Sequence, residues 1–250
     1  MKPLLTTLII ICFFIDPADA QPFDTVRIKQ ADGWTLMQVR GNNNILAEGY
    51  LHNGLREGTW NSFWDTGFPK EVTNYLHGVQ HGIYLKTGQD GFVEQMDMYS
   101  NGKLNGPSRL YNKGAFILEE IYYTDGKKNG SYNKWYINGR KQEQAMYSMD
   151  ERDGKTTWYY ENGNLAAAYS YRKGKLDGTA ITYNENGTVA DSGQYRDDVQ
   201  TGIWKEFYNT GSLKATGSYV NGEKNGIWQQ YAEDGKKTAP QSYSRGILNK

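Results

Sequence analysis

A chain of 250 residues with 28 basic and 28 acidic side chains carries no formal net charge, and 38% of it is apolar. It is long enough to fold, and it lacks the charge bias that a nucleic-acid or strongly anionic partner calls for. Its 20 Tyr and 29 Gly, against modest Leu, Ile and Val, suit a thin sheet with many turns better than one thick core.

Residues 1–20 have the layout of a cleaved signal peptide. Lys2 supplies the positive start, Leu4 to Ile15 is an apolar run, Pro17 breaks it, and Ala18-Asp19-Ala20 is a small-x-small cleavage site. The run is shorter than the roughly 20 residues that a membrane-spanning helix needs, so no transmembrane segment is expected after cleavage. Cys12 is preceded by Ile11, where a lipidation signal wants a small residue. Removal of the segment would leave a chain without cysteine, hence without disulfides or thiol chemistry.

Residues 21–49 are expected to form an N-terminal β cap. Thr25 to Gln30 and Trp34 to Arg40 have strand character and are separated by Asp32-Gly33, and Asn42-Asn43-Asn44 turns the chain into Ile45 to Leu51. End units of repeat arrays face water on one side and are atypical for that reason.

From residue 50 onward the chain repeats. Steps of 24 residues back from Tyr243 land on Tyr219, Tyr195, Tyr171, Tyr147, Tyr123, Tyr99 and Tyr75, with one extra residue before Tyr50. Self-similarity of this kind marks tandem architectures. Residues 50–250 hold eight units and a truncated ninth. Seven places after each tyrosine stand Gly82, Gly106, Gly130, Gly154, Gly178, Gly202 and Gly226. Nine places further come Gly67, Gly91, Gly139, Gly163, Gly187, Gly211 and Gly235, with Gly114 one place early in the third unit.

Dipeptides such as Asn138-Gly139, Asn162-Gly163 and Asp234-Gly235 provide the positive φ of tight hairpin turns. The second turn site, as in Asn221-Gly222-Glu223-Lys224-Asn225-Gly226, is expected to be a longer G-x-x-x-G loop that ends in the second glycine. Asp150 and Asp198 replace the first glycine in two units, and Asp is one of the few side chains that visits the left-handed region. Between turns the pattern steps by two: Leu213, Ala215, Gly217 and Tyr219 share one face. The expected fold is therefore all-β, an elongated single-layer antiparallel sheet of tandem β-hairpins. About 17 strands at roughly 4.8 Å spacing would make a ribbon on the order of 80 Å long. Lys236, Lys237 and Pro240 would blunt its C-terminal edge.

Catalytic signatures are missing. His77 and His81 have a spacing that metals can use, but they fall in loop columns that carry Asn129, Asp177 or Asn225 elsewhere, and His52 stands apart. Asp97, Glu119 and Glu120 could form an acid/base pair, and read more simply as solvated strand positions. Neither a cofactor nor a metal is expected. The aromatics Trp60, Trp158, Trp204 and Trp228 are the candidate binding surface, beside a competing role in covering the sheet.

The columns Y-x-N-G-x-x-x-G-x-W-x-x-Y-x-x-x-G-x-L, running from Tyr50 to Gly246, resemble the MORN-variant repeat, a form often found in bacterial proteins labelled as antitoxin components. The resemblance implies an elongated hairpin sheet used for contacts, with no fixed ligand; the regular repeat and the missing catalytic constellation make a non-enzymatic protein the expectation. Ser108, Thr156 and Ala180 depart from the aromatic found at Trp60, Tyr84, Tyr132, Trp204 and Trp228, and Thr87 departs from that at Phe63 and Tyr231. The leading expectation is an exported scaffold, periplasmic or secreted, that binds another protein. An envelope or polysaccharide-binding module that stacks sugars on exposed Trp and Tyr is the second reading, and an antitoxin-like neutraliser of a toxin the third.

Overall fold

The structure is a computed structural model and describes residues 23–249. The expected signal peptide, with Lys2 and Cys12, lies outside the described residues. Among the described residues the secondary structure is β throughout, and no helix is long and apolar enough to cross a membrane.

Among the described residues twenty-two strands follow one another as an antiparallel meander, paired in chain order except where two short strands lie end to end with the next one against a shared neighbour. The first three strands, Asp24–Lys29, Trp34–Gly41 and Asn44–His52, form where the sequence placed them. The total exceeds the expected 17 in part because two strands are split. Lys103–Leu104 precedes Gly106–Tyr111, and Glu151–Arg152 precedes Gly154–Tyr159.

Two kinds of tight turn alternate. The Asn-Gly type closes as a four-residue turn with glycine left-handed: the Gly139 amide donates to the Tyr136 carbonyl and the Tyr136 amide to the Arg140 carbonyl. In the third unit the left-handed place falls to Ala115 (φ 62°), because Gly114 stands one residue early.

The expected G-x-x-x-G loop is not a loop. Its first two residues form a two-residue turn in which both φ are positive, as at Asn221 (52°) and Gly222 (81°) or Asp197 (49°) and Asp198 (68°). The strand restarts immediately, as Arg196 pairs with Val199. Consequently Gly82, Gly106, Gly130, Gly154, Gly178, Gly202 and Gly226 are not turn residues; they are left-handed residues inside or at the start of strands. Gly202 sits in a β-bulge: Ser192 pairs with Lys205 while Gln194 pairs with Thr201, so the later strand carries extra residues there. The positive φ that the sequence demanded is present, and a bulge satisfies it as well as a turn does.

Each turn is tied to the unit before it. The Gly222 amide donates to the Gln200 carbonyl and the Gly246 amide to the Lys224 carbonyl. Where Asp stands in for glycine the side chain adds a bond: the Lys128 amide donates to Asp150 Oδ1 at 2.8 Å, and the Leu176 amide to Asp198 Oδ1 at 2.7 Å. At the opposite edge the Tyr136, Tyr160 and Tyr208 hydroxyls donate to the carbonyls of Tyr159, Tyr183 and Tyr231 in the next unit. Hairpins that are marginal alone thus lean on their neighbours.

Candidate binding face

The bulge decides what lies on the face. Its extra residues lay the Trp204 ring over the backbone of Gly193, and the same arrangement sets Trp60 over Gly49 and Trp228 over Gly217. A Cβ at any of these three glycines would fall closer than 3.0 Å to indole carbons. In every pair the small residue stands 11 places before the large one.

The same 11-residue offset recurs in the other units with different pairs of side chains. Thr73 pairs with Tyr84, Asp97 lies across from Ser108, and Ile121 pairs with Tyr132. In one unit the order is inverted, Tyr169 opposite Ala180. The apparent gap at Ala180 is therefore filled from the preceding strand, and Tyr169 packs against the cluster of Ala180, Trp204, Ala215 and Trp228. Tyrosines wedge between the indoles edge to face, with centroids 5.5 Å apart for Tyr195–Trp204 and Trp204–Tyr219 and 5.4 Å for Tyr219–Trp228.

This packing corrects the expectation of open indoles. Trp60, Trp204 and Trp228 retain only 8%, 5% and 0% of their surface, because each is flanked by aromatics and backed by a glycine. Trp158 is half-buried, 5.5 Å from Tyr169 and with the Arg152 guanidinium 5.4 Å from its ring. What remains open on this face is tyrosine edges and charges. Lys224 lies 3.8 Å above the Trp228 ring and 2.8 Å from Glu206, and Arg152 is bound to Glu143 at 2.6 Å among Tyr147, Trp158 and Tyr171. A groove runs over Trp204 between Tyr195 and Tyr219, with Asp191, Glu206 and Lys214 along it.

Carboxylates on the face act on the phenols. Burial first, then Glu71 and Asp97, pushes Tyr84 up to about 12. Tyr132 is raised by burial and by Glu119, whose Oε2 accepts its hydroxyl at 3.1 Å. Asp97 is not solvated: it is buried, accepting from Ser108 Oγ at 2.6 Å and Gln95 Nε2 at 2.8 Å. Glu119 and Glu120 are consecutive and face opposite sides, Glu120 pairing with Arg109 at 2.6 Å, so these two do not form an acid/base pair, and Asp97 and Glu119 are each taken up by a hydroxyl donor, Ser108 and Tyr132.

The histidines are drawn into local structure. His77 holds a left-handed turn position with Nδ1 3.3 Å from Glu57, His81 Nδ1 accepts the Asn101 amide at 3.4 Å, and His52 stacks on Trp34 at 4.7 Å. Among the described residues no group of three or more His, Cys, Asp or Glu is placed to hold a metal ion.

The fold and its face define an open, single-layer hairpin-repeat sheet whose aromatic columns pack mostly on themselves. A family profile described as the MORN repeat variant matches residues 152–173, 176–197 and 200–221, three consecutive units in the same 24-residue step. Over that span the chain is similar to MORN repeats. No curated protein matches it.

Proposed function

We propose that the chain is an exported, non-enzymatic repeat scaffold whose aromatic face binds another protein. The single observation that supports this most is the groove over Trp204, where half-buried tyrosine edges and two carboxylates, with the exposed Lys214, border a floor of packed indole. Tyr and Trp anchors ringed by charge are the composition that protein interfaces favour. Sugar stacking would need an open indole plane, and burial of Trp60, Trp204 and Trp228 removes three of the four candidates.

A photo-crosslinking residue at Lys214 tests the face, with a second at Ile203 on the opposite, solvent-facing side as the control. The expected result is a discrete adduct in the periplasmic or culture fraction from position 214 alone. Adducts of equal yield from both positions, or none from either, would overturn the proposal.

A further inference from the structure

The repeat supplies its own control for residues that the fold does not need. The residue after each left-handed loop glycine is Arg140, Asn164, Thr188, Ser212 or Lys236 in the later hairpins, all polar. The three earlier hairpins carry Phe68, Phe92 and, after left-handed Ala115, Phe116 there, 49%, 50% and 64% exposed. The loop closes the same way in both sets: the Trp64 amide donates to the Phe68 carbonyl as the Tyr208 amide does to the Ser212 carbonyl. Phe68 leans on Gly91 of the next loop and still leaves half its surface open. Hairpins on one edge recur every second strand, so the three rings form a ridge with steps of roughly 10 Å. Ile137, exposed at the next tip, extends it.

We infer that the Phe68–Phe92–Phe116 ridge is the interface of a two-fold dimer of this chain. The charges beside it carry the choice of partner. The residue that leads each tip is Asp65, Gln89 and Lys113 in turn: negative, neutral, positive. A two-fold axis through Phe92 sets Asp65 of each copy against Lys113 of the other, with Gln89 facing its own equivalent. The remaining charges at these tips are Lys70 over Trp64, Asp90 bound to Lys113 at 3.1 Å, and Lys86 bound to Glu94 at 3.6 Å. Three acids thus balance three bases at the three Phe tips, and Arg140 beside Ile137 adds one positive charge, too little to keep two copies apart.

Each half-exposed Phe offers roughly 100 Å², so rings and Ile137 together supply about half of the roughly 800 Å² per partner of a standard interface. The dimer is accordingly weak, with a dissociation constant on the order of 10 μM. This edge is separate from the groove over Trp204, so either reading can fail without the other.

Sedimentation velocity on the mature chain at about 10–100 μM is the test. The wild type is expected to shift from monomer to dimer across that range. Phe68→Ser, Phe92→Thr and Phe116→Asn combined, residues that later tips already carry, should leave a folded monomer throughout. Asp65→Lys and Lys113→Glu chains should each dimerise at least about tenfold more weakly, and a mixture of the two should recover wild-type association, because both cross-copy contacts become attractive again. A wild type that stays monomeric, a triple variant that still dimerises, or a mixture no better than its components would overturn the inference. So would a monomer that sediments with phosphatidylcholine vesicles through the same phenylalanines.

Discussion

Gly193→Ala adds one methyl group where an indole already lies. The backbone at Gly193 is not left-handed, so on conformational grounds alanine would gain roughly 0.5–1 kcal/mol. The new Cβ, however, falls closer than 3.0 Å to Cγ, Cδ2 and Cε2 of Trp204. That ring has no free direction, because Tyr195 and Tyr219 hold it at 5.5 Å on two sides. Overpacking costs about 1–3 kcal/mol, which leaves a net loss of about 0–2.5 kcal/mol, centred near 1, after the backbone gain. Trp204→Ala alone should cost about 3–5 kcal/mol as a large-to-small change at a buried site. In the double variant the clash is gone, so the combined loss should undercut the sum of the singles by about 1.5 kcal/mol or more. Gly193→Tyr with Trp204→Ala copies the Tyr169–Ala180 pair and should lie nearer the wild type than either single. Urea denaturation followed by circular dichroism measures all five proteins, with amide exchange in the central strands separating global loss from unravelling of one end. A stabilising Gly193→Ala, or additivity within about 0.5 kcal/mol, would refute the account of the Trp204 ring as fitted to the bare backbone of Gly193.

Ala115→Gly relieves a left-handed alanine whose strain is about 1–2 kcal/mol, and should stabilise the protein by about 0.5–1 kcal/mol once the looser unfolded chain is counted; an unchanged urea midpoint would contradict this. Asp150→Ala loses both a side chain tolerant of φ 76° and the acceptor for the Lys128 amide, so it should cost about 1–2 kcal/mol, whereas Asp150→Gly restores the backbone freedom and should cost less. Equal losses in the same denaturation assay would show that the carboxylate bond, and not the backbone, sets the cost. Burial, aided by nearby carboxylates, holds Tyr84, Tyr99, Tyr123, Tyr132, Tyr169, Tyr171, Tyr195 and Tyr219 above the ordinary phenol range. The unfolded chain gives up these protons near pH 10 while the fold keeps them, so the tyrosines' contribution to stability should be constant below pH 10 and be lost between pH 10 and about 12, where Tyr84 titrates. Phenolate absorbance should show these eight tyrosines deprotonating above the ordinary phenol range in the folded protein, and their deprotonation at the unfolded value would contradict the packing.

Much of the fold was legible because its signals are local. A residue that must take positive φ announces itself as Gly, Asn or Asp, and a strand with one covered face steps by two, so the hairpins, the period and the single layer all followed from the chain. The same local signal misled at the seven glycines from Gly82 to Gly226, because turns and bulges demand the same backbone angle and differ only in what pairs across from them. The open Trp surface failed for a related reason. Whether an indole faces water depends on the residue 11 places back, across a strand pair whose register a bulge has shifted. Gly49, Gly193 and Gly217 carried that signal as an 11-residue offset of small before large, as Tyr169 and Ala180 do in reverse order.

Left-handed turns and period-two strands were thus determined by the sequence alone, because each residue states its own backbone preference. Which aromatics are walls and which are edges, why Asp97 is buried, and why three exposed phenylalanines stand in line were decided by the tertiary structure. Those properties belong to pairs of residues brought together by pairing and bulge, and neither member of a pair carries them by itself.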